Sequence, residues 1–213
     1  MTKSVLLSIT DTIATITFNR PEAMNSFNPQ MGDELLAVTT EVRANQDIRA
    51  VILNGNGKLF MAGGDIRMFG EMMPTMPQGV DHMVGLLHAS ITNLMQMPKP
   101  VLASVHGSVA GAGMSLMMAC DLVMAAEDTK FTLAYSGIGI SPDGGATYNL
   151  PRLVGSKKAM EWLLLNNLVD AKTAATHGVI NWAVPAADLA LQTQKIAMAL
   201  AVGPTHSYAH IKR

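Results

Sequence analysis

The sequence predicts an α/β fold wound as a spiral of repeated strand, loop and helix units and finished by a helical C-terminal region. Three observations lead there. Short apolar or alternating runs are followed by glycine-rich loops and then by stretches of helical periodicity, and this order recurs. From Pro151 onward the texture becomes helical. The 213 residues, 49% of them apolar and only 15% charged, are enough for one sizeable core, or one core with a small appendage.

Taken in order, residues 5–9 and 12–18 alternate with period two around Thr10-Asp11, the pattern of an opening hairpin, and Asn19-Arg20-Pro21 stops it. Asn28 reads as an N-cap with Pro29 at the first helical position, and Met31, Leu35, Val38 and Val42 recur behind it at helical spacing. Residues 50–53 form a short buried strand running into Gly55-Asn56-Gly57 and then a loop poor in side-chain bulk. Residues 69–80, FGEMMPTMPQGV, mix glycine, proline and methionine without a period and read as an exposed, mobile segment. A helix over 81–97 carries Met83, Leu87, Ser90, Ile91 and Leu94 on one face, closed by Pro98 and Pro100. Residues 101–105 are a strand, the glycine-rich 107–113 leads into a small-residue helix through Ala119, 122–125 is another strand, and Phe131 opens a further short one. Helices follow at 156–165, 171–177 and 188–201, and a last one begins at Pro204 and reaches Arg213 with no C-cap signal.

Composition excludes several classes. Formal net charge is −1 with lysines and arginines scattered, so no basic face is available for a nucleic-acid backbone. Cys120 alone permits no internal disulfide, and MTKSVLLSITDT alternates instead of forming an apolar signal region, which makes the cytoplasm the expected compartment. The uncharged stretch 107–119 has a Gly107-xxx-Gly111 spacing but is too short to span a bilayer and lies between His106 and Asp121. Seventeen methionines read as core fillers. His106 follows a strand and reads as a structural hydrogen-bonding residue, while His177, His206 and His210 show no ligand spacing with carboxylates or Cys120, so no metal is expected.

Two loops can carry chemistry: Ala62-Gly63-Gly64-Asp65 and Gly111-Ala112-Gly113. Each follows a strand, and glycine lets peptide N–H groups face outward, where two of them converging on one carbonyl oxygen make an oxyanion hole. The second loop also opens a helix. Both can equally be tight turns chosen for close packing. Neither matches GxxxxGK[ST] or GxGxxG.

NRPEAMNSFN, LFMAGGDIRMF, KPVLASVHGSVAGAGMSLMMACDLVMAAEDTKF and GISPDGGATYNLPRLVG together resemble, in order and spacing, the signatures of the enoyl-CoA hydratase/isomerase (crotonase) superfamily, over essentially the whole chain. The resemblance implies a crotonase-like spiral of ββα units with a C-terminal helical region, a homotrimer or hexamer, and acyl-CoA thioester substrates. Coenzyme A would enter as part of the substrate, with no tightly bound cofactor and neither nucleic acid nor membrane as partner. It places the spiral core at 1–185 and makes 186–213 the start of a helical trimerisation region that family members continue further, so the chain reads as shortened. It puts the thioester oxygen between the N–H groups of Gly64 and Ala112. Coenzyme A would lie along Ala62, Gly63, Asp65 and Ile66 and along the 20–25 turn, with Arg20, Ala23 and Met24.

The chain departs from the family at two positions. Enoyl-CoA hydratases carry paired glutamates where this chain has Ser115 and Tyr135. The carboxylate nearby is Asp143 in Ser141-Pro142-Asp143-Gly144-Gly145, placed like the aspartate of phenylacetate-pathway enoyl-CoA isomerases and the nucleophilic aspartate of 4-chlorobenzoyl-CoA dehalogenases. Tyr135 and His88 fall where the dehalogenases place an aromatic residue and a histidine. The resemblance thus implies double-bond isomerisation through Asp143. Hydratase or aryl-CoA dehalogenase chemistry and non-catalytic acyl-CoA binding stand as alternatives. Asp143 could instead be a helix N-cap, and His88 a histidine on an exposed helix face.

Overall fold

The computed structural model describes residues 2–71 and 76–212. Strands β1 (Val5–Thr10) and β2 (Ile13–Phe18) form the antiparallel hairpin, with Val5 opposite Phe18 and Thr10 opposite Ile13. Its turn falls on Asp11-Thr12, one residue beyond the expected Thr10-Asp11, because Asp11 accepts a left-handed backbone at φ 54°. Further strands follow as β3 (Ala50–Gly55), β4 (Val101–Val105), β5 (Ser108–Ala110), β6 (Leu122–Ala126), β7 (Lys130–Thr132), β8 (Val169–Asp170) and β9 (Trp182–Val184). The helices are α1 (Pro29–Ala44), α2 (Ile66–Glu71), α3 (Met76–Gln96), α4 (Ala112–Met118), α5 (Ala146–Val154), α6 (Ser156–Leu165), α7 (Ala171–Thr176), α8 (Leu189–Val202) and α9 (Thr205–Ile211).

One sheet runs β1-β2-β3-β4-β6-β9 and is parallel from β2 onward. Parallel neighbours need crossovers, which α1, α3 and α4 provide within the order of the chain. Every residue of β4 is buried, as expected of a strand covered on both faces. Val51, Leu53, Val101 and Ala103 point to one core with Met31 and Leu35 of α1 and Leu87 and Leu94 of α3. Ala50, Ile52, Leu102 and Met124 point to the other, closed by Leu189, Ala197 and Ala201 of α8. The region after 185 thus supplies one wall of the sheet. Beyond α8, Arg49 donates to the Gly203 carbonyl at 2.7 Å and to Thr205 Oγ1 at 3.1 Å, tying the start of α9 to the body.

Only His106-Gly107 separates β4 from β5, where the chain leaves the first sheet for a second, β5-β7-β8. That corner is the spiral's turn, and it brings the loops after β3 and β5 together: Met61 pairs with Val109.

The N-cap of α1 is as expected, with Asn28 Oδ1 accepting from the Met31 N–H at 2.9 Å. Other readings need correction. Within 69–80, the residues through Glu71 belong to α2 and those from Met76 to α3, while 72–75 lie outside the described residues. Helix α3 begins at Met76, five residues before the expected start, with Pro77 in a first turn where N–H groups lack helical partners anyway. Glycine-rich 107–113 contains β5, because small residues still pair through their backbone with β7. Helix α5 begins at Ala146 and includes Pro151, instead of starting there. The two- and three-residue strands β8 and β9 are too short to show a period.

Candidate active site

The loops after β3 and β5 meet backbone to backbone. Gly63 has φ 104° and Gly111 φ 50°; a methyl on Gly63 would lie 3.3 Å from the Ala110 carbonyl oxygen, and one on Gly111 3.3 Å from Gly63 Cα. Any side chain would push the loops apart. Phe27 bridges the first loop, donating to the Gly63 carbonyl at 2.7 Å and accepting from the Asp65 N–H at 2.9 Å. In such a bridge the intervening Gly64 turns its own N–H to the opposite side. Ala112 opens α4, where helical N–H groups have no partner within the helix. Among the described residues neither the Gly64 nor the Ala112 N–H has an acceptor, and both residues line one cavity of about 380 Å³.

That cavity is mostly apolar, walled by Phe27, Met83, Val84, Leu87, Leu133 and Ile140 among others. Asp143 supplies the carboxylate in its wall, and Tyr135 lies beside it. The Tyr135 hydroxyl donates to Asp143 Oδ1 at 2.5 Å. Burial, and next the Asp143 charge, push the Tyr135 hydroxyl well above the ordinary tyrosine range, so it remains a donor. Ser115 Oγ lies 3.3 Å from that hydroxyl and donates to the Asp143 carbonyl at 3.0 Å. The N-cap alternative for Asp143 does not hold: Gly145 occupies the cap of α5, and no side chain bonds there.

The expected residues therefore divide. Gly64, Ala112, Tyr135 and Asp143 share the cavity. His88, exposed on α3, is not among the residues lining it; its Nε2 accepts from the Gly144 N–H at 3.0 Å. Arg20, Ala23, Met24, Ala62, Asp65 and Ile66 line a second cavity of about 510 Å³, which shares Ala62, Gly64 and Ile66 with the first; Gly63 lines the first alone. Arg20 is committed to structure there, donating to Asp65 Oδ2 at 3.1 Å and to the Ser26 carbonyl at 2.5 Å. His106, read as a structural residue, bonds the Gly57 carbonyl through Nε2 at 2.9 Å.

Two contributions escaped the sequence. Asn25, fully buried at φ 51°, accepts from the Arg20 N–H and donates to the carbonyls of Asn56, Leu59 and Phe60, fixing the 20–25 turn against the loop after β3. The available signal was an asparagine in a turn, where left-handed backbone is tolerated. The spacing of Met83 and Leu87 predicts a core face, and both are buried in the core; that they also line the cavity is not visible in the period, which is the same for either surface.

An α/β spiral whose two glycine loops present free N–H groups to an apolar cavity beside a carboxylate has the architecture of an acyl-thioester enzyme. The family model for enoyl-CoA hydratase/isomerase matches residues 8–213, and the chain belongs to that family. It is 35% identical to the 1,2-epoxyphenylacetyl-CoA isomerase of Escherichia coli K12, over 100% of this chain and 82% of the relative. It is also 35% identical to 4-chlorobenzoyl coenzyme A dehalogenase-2 of an Arthrobacter species, over 95% and 74% respectively. Among solved structures it resembles an enoyl-CoA hydratase from Polaromonas sp. JS666, with a TM-score of 0.93, 30% identity, and coverage of 98% of this chain and 81% of that one.

Proposed function

We propose that this chain moves the double bond of an enoyl-CoA thioester, with Asp143 carrying the proton. The observation behind this reading is that Asp143 is the sole carboxylate among the described residues lining the apolar cavity, alongside the two unpaired N–H groups. Asp143 removes a proton from C2 of a 3-enoyl thioester. The electron pair spreads onto the thioester oxygen as a dienolate, to which Gly64 and Ala112 donate hydrogen bonds. The Asp143 carboxyl, whose proton exchanges with solvent, delivers a proton at C4, and the 2-enoyl thioester leaves. One base serves both steps. The rest of coenzyme A extends over the second cavity, past Ala62, Asp65 and Ile66 toward Arg20 and Met24.

Paired-carboxylate hydration is disfavoured because the two positions in question hold Ser115 and Tyr135, and the Ser115 hydroxyl is already engaged by the Asp143 carbonyl. The test is to supply 3-enoyl and dienoyl thioesters in oxygen-18 water and in deuterium oxide. Isomerisation yields product with solvent hydrogen but no solvent oxygen, and Asp143→Asn abolishes it. Oxygen-18 in the product, or full activity in Asp143→Asn, overturns the reading; oxygen-18 from a 4-halobenzoyl thioester would indicate attack by Asp143 on an aryl ring instead.

A further inference from the structure

The Asp143–Gly144 peptide is held at both ends by side chains from different helices. Its carbonyl accepts from Ser115 Oγ of α4 at 3.0 Å, and its N–H donates to His88 Nε2 of α3 at 3.0 Å. The carbonyl also accepts from the Ala146 N–H at 3.0 Å as α5 begins. Gly144 and Gly145 follow at φ 56° and 77°. A pair of glycines in this region can rotate its peptides at small cost, so the turn has little stiffness of its own. A rotation there would swing the Asp143 side chain, whose Cα adjoins the peptide. Close packing prevents it on one side: a methyl on Gly144 would lie 2.6 Å from Cβ of Ser115, which is fully buried.

His88 holds the other side from an exposed position. Because its Nε2 accepts a hydrogen bond, that nitrogen carries no proton, and the ring is neutral with its proton on Nδ1. A lone pair engaged by a backbone N–H is not available to a water or substrate in the cavity unless the turn is released.

We propose that His88 and Ser115 form a two-sided clamp on the Asp143–Gly144 peptide, in which neutral His88 is a positioning residue for Asp143 and not a base at the reacting atoms. The clamp rests on the reading of Asp143 as proton carrier and deepens it.

The test compares His88→Leu, which cannot accept, with His88→Gln, whose amide oxygen can. Misplacing the carboxylate lowers kcat in His88→Leu by about 10- to 100-fold. KM stays within about twofold, since substrate binding is untouched. His88→Gln recovers most of the rate. Nitrogen-15 spectra of the wild-type histidine ring provide a readout independent of turnover: Nε2 unprotonated and Nδ1 protonated, with slow exchange of the Gly144 amide that quickens in His88→Leu. A ring protonated on Nε2, or a His88→Leu enzyme with unchanged kcat and unchanged Gly144 exchange, overturns the clamp. Full activity in Asp143→Asn would instead defeat the proton-carrier reading, and with it any catalytic benefit of the clamp, while leaving the nitrogen-15 signature in place; the two failures are therefore distinguishable.

Discussion

Asp143 and Asp121 are both carboxylates partly withdrawn from solvent, and the molecule treats them in opposite ways. Asp121 Oδ2 accepts from the Val101 N–H and from Lys212, each at 2.7 Å. Lys212 also donates to the carbonyls of Leu94 and Lys99. Lys99, whose ammonium burial pulls below the usual lysine range, donates to the carbonyls of Val42 and Asn45. In that cluster polar capacity is used to join α1, α3, β4 and the residue after α9. Asp143 instead receives one bond on Oδ1, and among the described residues Oδ2 has no partner while the residue lines a cavity. Buried polar groups satisfied by backbone hold a fold together, whereas one left partly unsatisfied beside a cavity is available for chemistry.

The largest effect expected from this contrast is a double dissociation. Asp143→Asn should lose on the order of 10²- to 10⁴-fold in rate, the range typical of a removed acid–base group, with its urea midpoint nearly unchanged. Asp121→Asn should keep its kcat and lose about 1.5 to 3 kcal/mol of stability, the usual worth of a hydrogen bond to a charged group. Parallel rate measurements and urea titrations on both variants check it; a rate loss in Asp121→Asn would break the contrast.

Installing a glutamate at Ser115 probes the same boundary from the other direction. The tight approach of Gly144 to Ser115 leaves no volume for it. Overpacking should cost about 1 to 3 kcal/mol, and displacing the Asp143 turn should lower isomerisation without creating hydration, as read by oxygen-18 incorporation. At Gly63 the two kinds of role coincide. Gly63→Ala forces a left-handed alanine toward the Ala110 carbonyl and shifts the adjoining Gly64 N–H, so stability should fall by about 1 to 3 kcal/mol and kcat should fall with it.

Much of this was legible in the residues because its causes are local. Asn28-Pro29 specifies a helix start through one side-chain bond and one fixed φ, and the glycines at 63 and 111 mark a close approach that only they permit. Asp143 stood out as a carboxylate in a turn between glycine and proline. What remained hidden depends on residues distant in sequence. Nothing near His88 indicates that its Nε2 meets an N–H 56 positions away. Nothing in the period of α3 separates a wall that packs from a wall that lines a cavity, and nothing in residues 188–201 shows which sheet face they cover.

The smallest expected effect is a difference in alkaline stability, and it sets a member of each region side by side. Burial pushes up both the Tyr135 hydroxyl and the Cys120 thiol; the Asp143 charge adds to the first, and Asp121, partly offset by Lys212, adds to the second. In the unfolded chain these groups ionise near their ordinary values, about 10 for tyrosine and about 8.5 for cysteine. Above those values the unfolded state binds fewer protons than the folded one, so stability decreases as pH rises, by up to about 1.4 kcal/mol per pH unit for each group. The contribution is fully present below the unfolded values and disappears above them, first for Cys120 and then for Tyr135. Urea titrations from pH 8 to 10.5, with wild type beside Cys120→Ala and Tyr135→Phe, isolate the two. Cys120→Ala should flatten the decline from about pH 8.5 and leave kcat alone, while Tyr135→Phe should flatten it only above about pH 10. Tyr135→Phe should also lower kcat by about tenfold through loss of the bond to Asp143. Identical slopes in all three proteins would mean that neither proton is retained on folding, and a Tyr135→Phe enzyme with undiminished kcat would move Tyr135 to the scaffold side of the comparison.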